Sequence, residues 1–423
     1  MQKKLLVLGG TSASVDIVEV AKEMGVYVIV TDDQQDGIAK SLADEAIQIS
    51  TIDFDGLVDF IKGNGINGVF CGPSEFNLQN CMQVCKLAGL PFYCTPEQWD
   101  ICSNKESFKK LCQRFDVPFV PGYEIPEDLN QTDLSNIVYP VIVKPVDGCS
   151  SKGITVCSNE QELRSAFPVA LAFSDTKKAL VERYIDNDGV GLSVRYIICN
   201  GEYYLSLVGD RYVVDAKTRK SLIGSAAFFP SRHTDQYVKR IDANVQQMFK
   251  SIGIKNGTLF MQALVENDKI YFHEMGLRLS GGLTYKMTDA LVGVNDVKMM
   301  IAYALGEPMC SDEEKKRISP YLNGKYAGSL SIPLKTGTIG YIHGVEEIRA
   351  LPGVENFTCY YESGSEITTP MIGTLQQLFG RIKMTSNSKQ DLLDLINRIN
   401  KNLLVRSENG QDMIFKRFQA ENL

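Results

Sequence analysis

The stretch YPVIVKPVDGCSSKGITV, residues 139–156, ends a strand on a lysine and follows it with a turn of small residues. Val141, Ile142 and Val143 are consecutive and β-branched, the pattern of a strand buried on both faces. Lys144 closes that run directly before Pro145. Gly148, Cys149, Ser150, Ser151, Lys152 and Gly153 follow, and apolar residues return at Ile154 and Val156. A buried ammonium is costly unless an anion meets it. Two anions fit the pattern. One is Glu182, which sits in the apolar run KALVERYI. The other is a phosphate, cradled by backbone N–H groups that glycines leave open and met by the lysine as a point charge.

Around this stretch lies a chain of 423 residues, enough for two to four packed units. Its 44% hydrophobic and 22% charged residues describe a globular protein, with no apolar run long enough to span a bilayer and no leader-like start. A net charge of −7 argues against nucleic acid as a partner. Eleven cysteines without regular spacing suggest reduced thiols in the cytoplasm. Cys81 and Cys85 stand at helical spacing, but no second pair completes a zinc set. With only His233, His273 and His343 available, chemistry must rest on Lys, Arg and carboxylates.

The chain opens as an α/β unit. KLLVLG (4–9) reads as a strand, Ser14–Met24 as a helix and VYVIVTDD as a second strand. INGVFCGPSE and GLPFYCTP supply further strands around a helix from Asn77 to Leu87, giving an open parallel domain to about residue 95. The turn at Gly9 and Gly10 lacks the full G-x-G-x-x-G pattern, so a tight scaffold turn is preferred to a dinucleotide site. Ser103 with Glu106 has the form of a capping box. It starts a helix near Asn104 and puts Lys105 in the first turn, where a cation is mildly unfavourable unless an anion is held there. From Val117 to Ile185 the pattern is a small α+β unit: strands at 140–144 and 153–157, a helix from Asn159, and KALVERYI as a closing strand. Residues 237–252 carry one apolar helical face, ended by Gly253. GTLFMQALVENDKIYFHEMGLRLSGG is a hairpin whose Glu-Asn-Asp turn brings Gln262 and Glu274 nearly opposite each other, with Arg278 just beyond. A helix at 389–402 turns Leu392, Leu395, Ile396 and Ile399 inward.

The order of NKESFKKLC, YPVIVKPVDGCSSKGI, ALVERYI and YFHEMGLRLSGG, behind a Rossmann-like domain and before FGRIKMTSNSKQDLLDLI, resembles the ATP-grasp superfamily. The resemblance is to its branch of biotin carboxylase, the carbamoyl phosphate synthase large chain and amino-acid ligases. It implies a Rossmann-like domain over 1–95, an ATP-grasp domain over 96–310 with a lid at about 117–185, and a C-terminal subdomain over 311–423. It implies that Lys105 and Lys144 contact nucleotide phosphates beneath a flexible loop at 148–153 containing Ser150, Ser151 and Gly153. The strand 182–185 lines the adenine through Glu182, Tyr184 and backbone atoms of Ile185. Glu274 binds Mg2+, or Mn2+ as an alternative, with Gln262 offering a neutral oxygen, and Arg278 steadies a phosphorylated intermediate. The sequence departs from the resemblance at three positions. Gly191 stands where relatives hold the ribose with a glutamate, Gln262 replaces a metal carboxylate, and Gly276 replaces an asparagine.

The function expected is an ATP-dependent carboxylate–amine ligase acting through an acyl phosphate, with a nucleotide-binding protein of weak catalysis as the alternative. Its partners would be ATP, a small carboxylate and an amine, with a homodimer as one assembly. Biotin-dependent carboxylation is not expected, because no carrier segment is seen. Asp210, Arg211, Arg219 and Arg232 are candidates for carboxylate recognition, with plain surface charge as the other reading. For Glu274 and Arg278 the other reading is a mutual surface salt bridge.

Overall fold

Leu5, Leu6, Val7 and Leu8 have no exposed surface, because helices cover both faces of the sheet they form. In the computed structural model, which describes residues 2–126, 129, 132–147, 153–215 and 221–422, this strand is central. The strands β1 (Lys4–Leu8), β2 (Tyr27–Thr31), β3 (Glu45–Ile47) and β4 (Gly68–Phe70) are all parallel, in the order β3-β2-β1-β4. The Gly9–Gly10 turn is filled from within. A Cβ on Gly9 would stand 2.6 Å from the Asn77 amide nitrogen, Gly10 N–H donates to Asp32, and Gly10 C=O accepts from Ala39. The helix Glu75–Ala88 starts two residues before the sequence suggests, since Ser74 caps it by accepting from Asn77 N–H. GLPFYCTP is not a strand. It leaves the sheet to stack Phe92 on Tyr93, whose hydroxyl donates to the Leu277 carbonyl at 3.1 Å.

A second, four-stranded sheet holds β5 (Gly122–Tyr123), β6 (Val141–Pro145), β7 (Thr155–Cys157) and β8 (Ala179–Arg183), ordered β5-β8-β6-β7 and antiparallel throughout. The helix Glu160–Ala172, capped by Asn159, covers it with Leu163, Phe167 and Ala170.

The third sheet has eight strands. From the middle of the chain come β9 (Val190–Cys199), β10 (Glu202–Asp215), β11 (Ser221–Phe229), β12 (Gly257–Glu266) and β13 (Lys269–Gly276). The rest of the chain supplies β14 (Tyr326–Pro333), β15 (Gly337–His343), β16 (Val354–Cys359), β17 (Glu366–Ile367), β18 (Leu378–Ser386) and β19 (Leu404–Ser407). The order is β13-β12-β9-β10-β11-β14-β18-β16, so strands after residue 311 extend the sheet begun before it, while β17-β15-β19 stand apart. The expected helix over 237–252 is two, Thr234–Arg240 and Asp242–Ile252, broken at Ile241; Asp242 there accepts from the Tyr196 hydroxyl. The helix Lys389–Asn402 buries Leu392, Leu395, Ile396 and Ile399 as read. The thiol expectation needs one correction. The end of β9 and the segment after the helix Asp296–Ala304 bring Cys199 and Cys310 to a Cα separation of 6.1 Å, joined as a disulfide. The other described cysteines are free and mostly buried. Among the described residues, no helix is long and apolar enough to cross a membrane.

Candidate functional site

Lys144 meets a carboxylate. Its ammonium is 2.7 Å from Glu182 Oε2, and the pair is almost fully enclosed, with side chains 6% and 2% exposed. Antiparallel pairing of β6 with β8 puts Ile142 opposite Glu182, so the two charged residues are diagonal neighbours. A third group completes the cluster. Lys109 stands 2.5 Å from Glu182 Oε1, outside hydrogen-bonding geometry. Burial alone would raise the Glu182 pKa, but Lys144 and Lys109 outweigh it and hold the carboxyl below its ordinary range. Glu182 therefore faces two lysines, and of the two anions the sequence offers Lys144 it is the carboxylate.

Lys109 was missed in the sequence, although its spacing from Lys105 signalled a shared helix face. Both project from the helix Lys105–Arg114, which is capped by Asn104 and not by Ser103: the Asn104 side chain accepts from Glu106 and Ser107 N–H, while Ser103 closes the preceding helix. Burial, then Lys144, lowers the Lys105 pKa, and Glu274, Glu75 and Glu182 oppose them. Lys105 thus lies in the field of carboxylates from three separate parts of the fold.

The hairpin register is as read: Gln262 pairs with Glu274. The next pair is Ala263 with Phe272, which leaves His273 as the extra residue of a bulge. Burial, then Lys144, pushes the His273 pKa down to about 3, so the imidazole is neutral near pH 7. A folded pKa below the unfolded value means that the unfolded chain binds a proton the folded one refuses. This part of the stability is complete above about pH 6.5 and is lost as pH falls toward 3, by at most about 1.4 kcal/mol per pH unit. Urea midpoints at pH 7 and pH 5 should therefore fall less in His273→Gln than in the parent; equal falls would exclude this source.

Gln262 Nε2 donates to Glu274 Oε1 at 2.6 Å, and Arg211 Nη1 donates to Gln262 Oε1. Arg278 does not pair with Glu274. Its Nη2 and Nε reach Glu75 Oε1, at 2.7 and 3.1 Å, at the start of the helix Glu75–Ala88. Its guanidinium lies 4.8 Å from the centre of the Phe260 ring, and a Cβ at position 276 would come within 2.6 Å of that ring. The missing side chain at Gly276 is what seats Phe260 beneath Arg278. Of the three acceptor candidates among the described residues, Arg211 joins this group. Asp210 points to the other face and accepts from Ser231 Oγ at 2.5 Å, while Arg232 Nε donates to His233. Arg219, Ser150 and Ser151 lie outside the described residues, and Gly153 stands at the rim with φ +70°. Ile185 is buried, and Tyr184 N–H donates to the Pro140 carbonyl.

The family described as "Carbamoyl-phosphate synthase L chain, ATP binding domain" matches residues 104–311. Residues 104–311 are an ATP-grasp domain. The fold around it is equally specific. The L-amino acid ligase from Bacillus licheniformis superposes with a TM-score of 0.78 over 96% of this chain and 99% of its own, at 18% identity. The biotin carboxylase domain of Hydrogenobacter thermophilus 2-oxoglutarate carboxylase, in complex with MgADP, ADP and bicarbonate, superposes at 0.76 over 96% of this chain and 91% of its own, at 21% identity. In sequence, the propionyl-CoA carboxylase alpha chain of Ruegeria pomeroyi is 26% identical over 73% of this chain, which spans 47% of that relative.

Beside the ATP-grasp hairpin the sheet sets Arg211 among charges at Arg195 and Lys383 that the sequence reading did not find. Gly191, Arg211, Ala227, Ser329 and Lys383 are successive cross-strand partners, so they share one face. Arg195 is on the same face of β9. Burial pushes Lys383 to about 8 and Arg195 to about 10. Lys383 lies 5.5 Å from the Tyr285 ring centre and makes no ion pair among the described residues. Arg195 donates to Thr284 Oγ1, while its Nε and the nearby Asp296 Oδ1 lack hydrogen-bond partners there. Alternation at Arg381 and Lys383 in FGRIKMTS was the available signal, but only the strand order shows what those residues face.

Magnesium fits this site in part. Among the described residues no three His, Cys, Asp or Glu gather as a metal site, so an ion at Glu274 needs phosphate and water oxygens as its other ligands, which is ordinary for Mg2+. Gln262 does not fit as a ligand, against expectation. Arg211 can only donate, so the amide oxygen turns to it and the NH2 group turns to Glu274.

Proposed function

We propose that the protein is an ATP-dependent ligase that joins a small carboxylate to an amine through an acyl phosphate. The observation that carries this reading is the enclosed Lys144–Glu182 pair inside a region that matches an ATP-binding domain, with Lys105 in the field of Lys144, Glu182, Glu274 and Glu75. That supports a reading in which cations for a triphosphate and a carboxylate for its metal act together, with Arg278 tied to them through Glu75. Lys105 and Lys144 hold the phosphates, and Glu274 would hold a magnesium ion that supplies further charge neutralisation. A carboxylate oxygen of the substrate attacks the γ-phosphorus, and the bond to the β–γ bridging oxygen breaks to release ADP. Arg278 balances charge on the transferred group. The amine nitrogen then attacks the acyl carbon, phosphate leaves, and the nitrogen gives up a proton. Glu75, already an anion at Arg278, is placed to attract an ammonium. The Arg195–Lys383 face supports an acidic substrate, since its cations outnumber Asp296.

ADP release measured against carboxylates paired with amines tests the proposal. Stimulation should require both members of a pair, and dicarboxylates should outperform monocarboxylates of equal length. ATP binding without stimulation by any pair would favour a nucleotide-binding protein with little catalysis.

A further inference from the structure

The apparent loss of a metal carboxylate at Gln262 is part of a chain of contacts from Arg211 to Glu274. Gly191 lies opposite Arg211 on β9, and Gln262 lies on β12, the strand beyond. Gln262 pairs with Ser193, two residues along β9 from Gly191, so the Arg211 side chain reaches diagonally across β9 to contact it. The guanidinium is then enclosed. Burial lowers its pKa and Glu274 opposes that shift, so Arg211 and Glu274 share a field although the Gln262 amide lies between them. That amide is held from both ends, oxygen to Arg211 and nitrogen to Glu274, and cannot turn an oxygen to an ion beside Glu274 without abandoning a charged donor.

We propose that Arg211 is a fixed cation standing in for a second metal ion, so that the nucleotide complex takes one divalent metal ion, at Glu274, and no more. Gln262 relays the contact without adding charge, and the guanidinium supplies a charge that needs no metal. A carboxylate at position 262 would instead pair with Arg211. This inference rests on the ATP-dependent reading above.

The experiment counts Mn2+ bound per chain by the electron paramagnetic resonance of the free ion, with the full chain saturated by a non-hydrolysable ATP analogue. The parent should bind one Mn2+ per nucleotide. The double variant Arg211→Met with Gln262→Glu, which removes the cation and restores an oxygen ligand, should bind two. Two Mn2+ in the parent overturn the inference while leaving the ligase reading intact. A variant that folds, binds the analogue and still holds one Mn2+ also overturns it. Failure of the parent to bind the analogue at all, by calorimetry, removes the ATP-dependent reading with it.

Discussion

Arg278→Ala should turn over about 10²–10³-fold more slowly than the parent enzyme while its ATP affinity changes little. The size follows from when the contact acts. Arg278 reaches the cleft through Glu75 and the Phe260 ring and touches neither lysine of the phosphate cluster, so its charge matters as the phosphoryl group moves to the substrate. Folding should survive, because Glu75 is 41% exposed and water can solvate it when its partner is gone. Arg278→Lys keeps the charge but loses the double contact to Glu75, and belongs between the parent and the alanine variant. Steady-state rates with a competent substrate pair, beside calorimetric ATP titration, separate the effects. A parental rate in Arg278→Ala would remove the residue from the chemistry, and a parallel loss of ATP affinity would move it to the nucleotide site.

Local signals were legible where they needed no partner. The buried strands β1 and β6, the Asn159 cap and the apolar face of Lys389–Asn402 follow from β-branching, capping chemistry and helical period. That Gln262 and Glu274 lie nearly opposite followed from a short polar turn; the turn alone pairs Gln262 with His273, and the bulge moves it to Glu274. What escaped depends on strand order or on a single extra residue. Lys383 and Arg211 are far apart in sequence and share a face only because β11 and β14 lie between their strands. His273 needed the bulge to be known. Gly191 and Gly276 looked like deleted ligands, because a sequence shows the missing group and not the side chain that uses the space. At Gly276 that side chain is Phe260; a Cβ at Gly191 would meet the Ala263 carbonyl of the neighbouring strand.

Lys144→Met should be the most damaging single substitution in the cleft, and for two separable reasons. Removing one partner of a buried ion pair typically costs about 3–5 kcal/mol, because the remaining charge stays enclosed. Here Lys109 still stands at the other oxygen of Glu182, so the lower part of that range is expected, read as a shift in urea midpoint. Adding Glu182→Gln should restore part of the loss, since the uncompensated carboxylate goes with it. Summed single effects larger than the double effect would measure the coupling. The second reason concerns the ligand. Loss of one charge-assisted contact to a phosphate should weaken ATP by about 1.5–3 kcal/mol, and Glu182→Gln in the double variant cannot return it. Stability and affinity therefore part company in that variant: partial rescue of the midpoint, none of the binding. If calorimetry finds parental ATP affinity in the folded double variant, Lys144 exists for Glu182 alone, and the phosphates belong to Lys105.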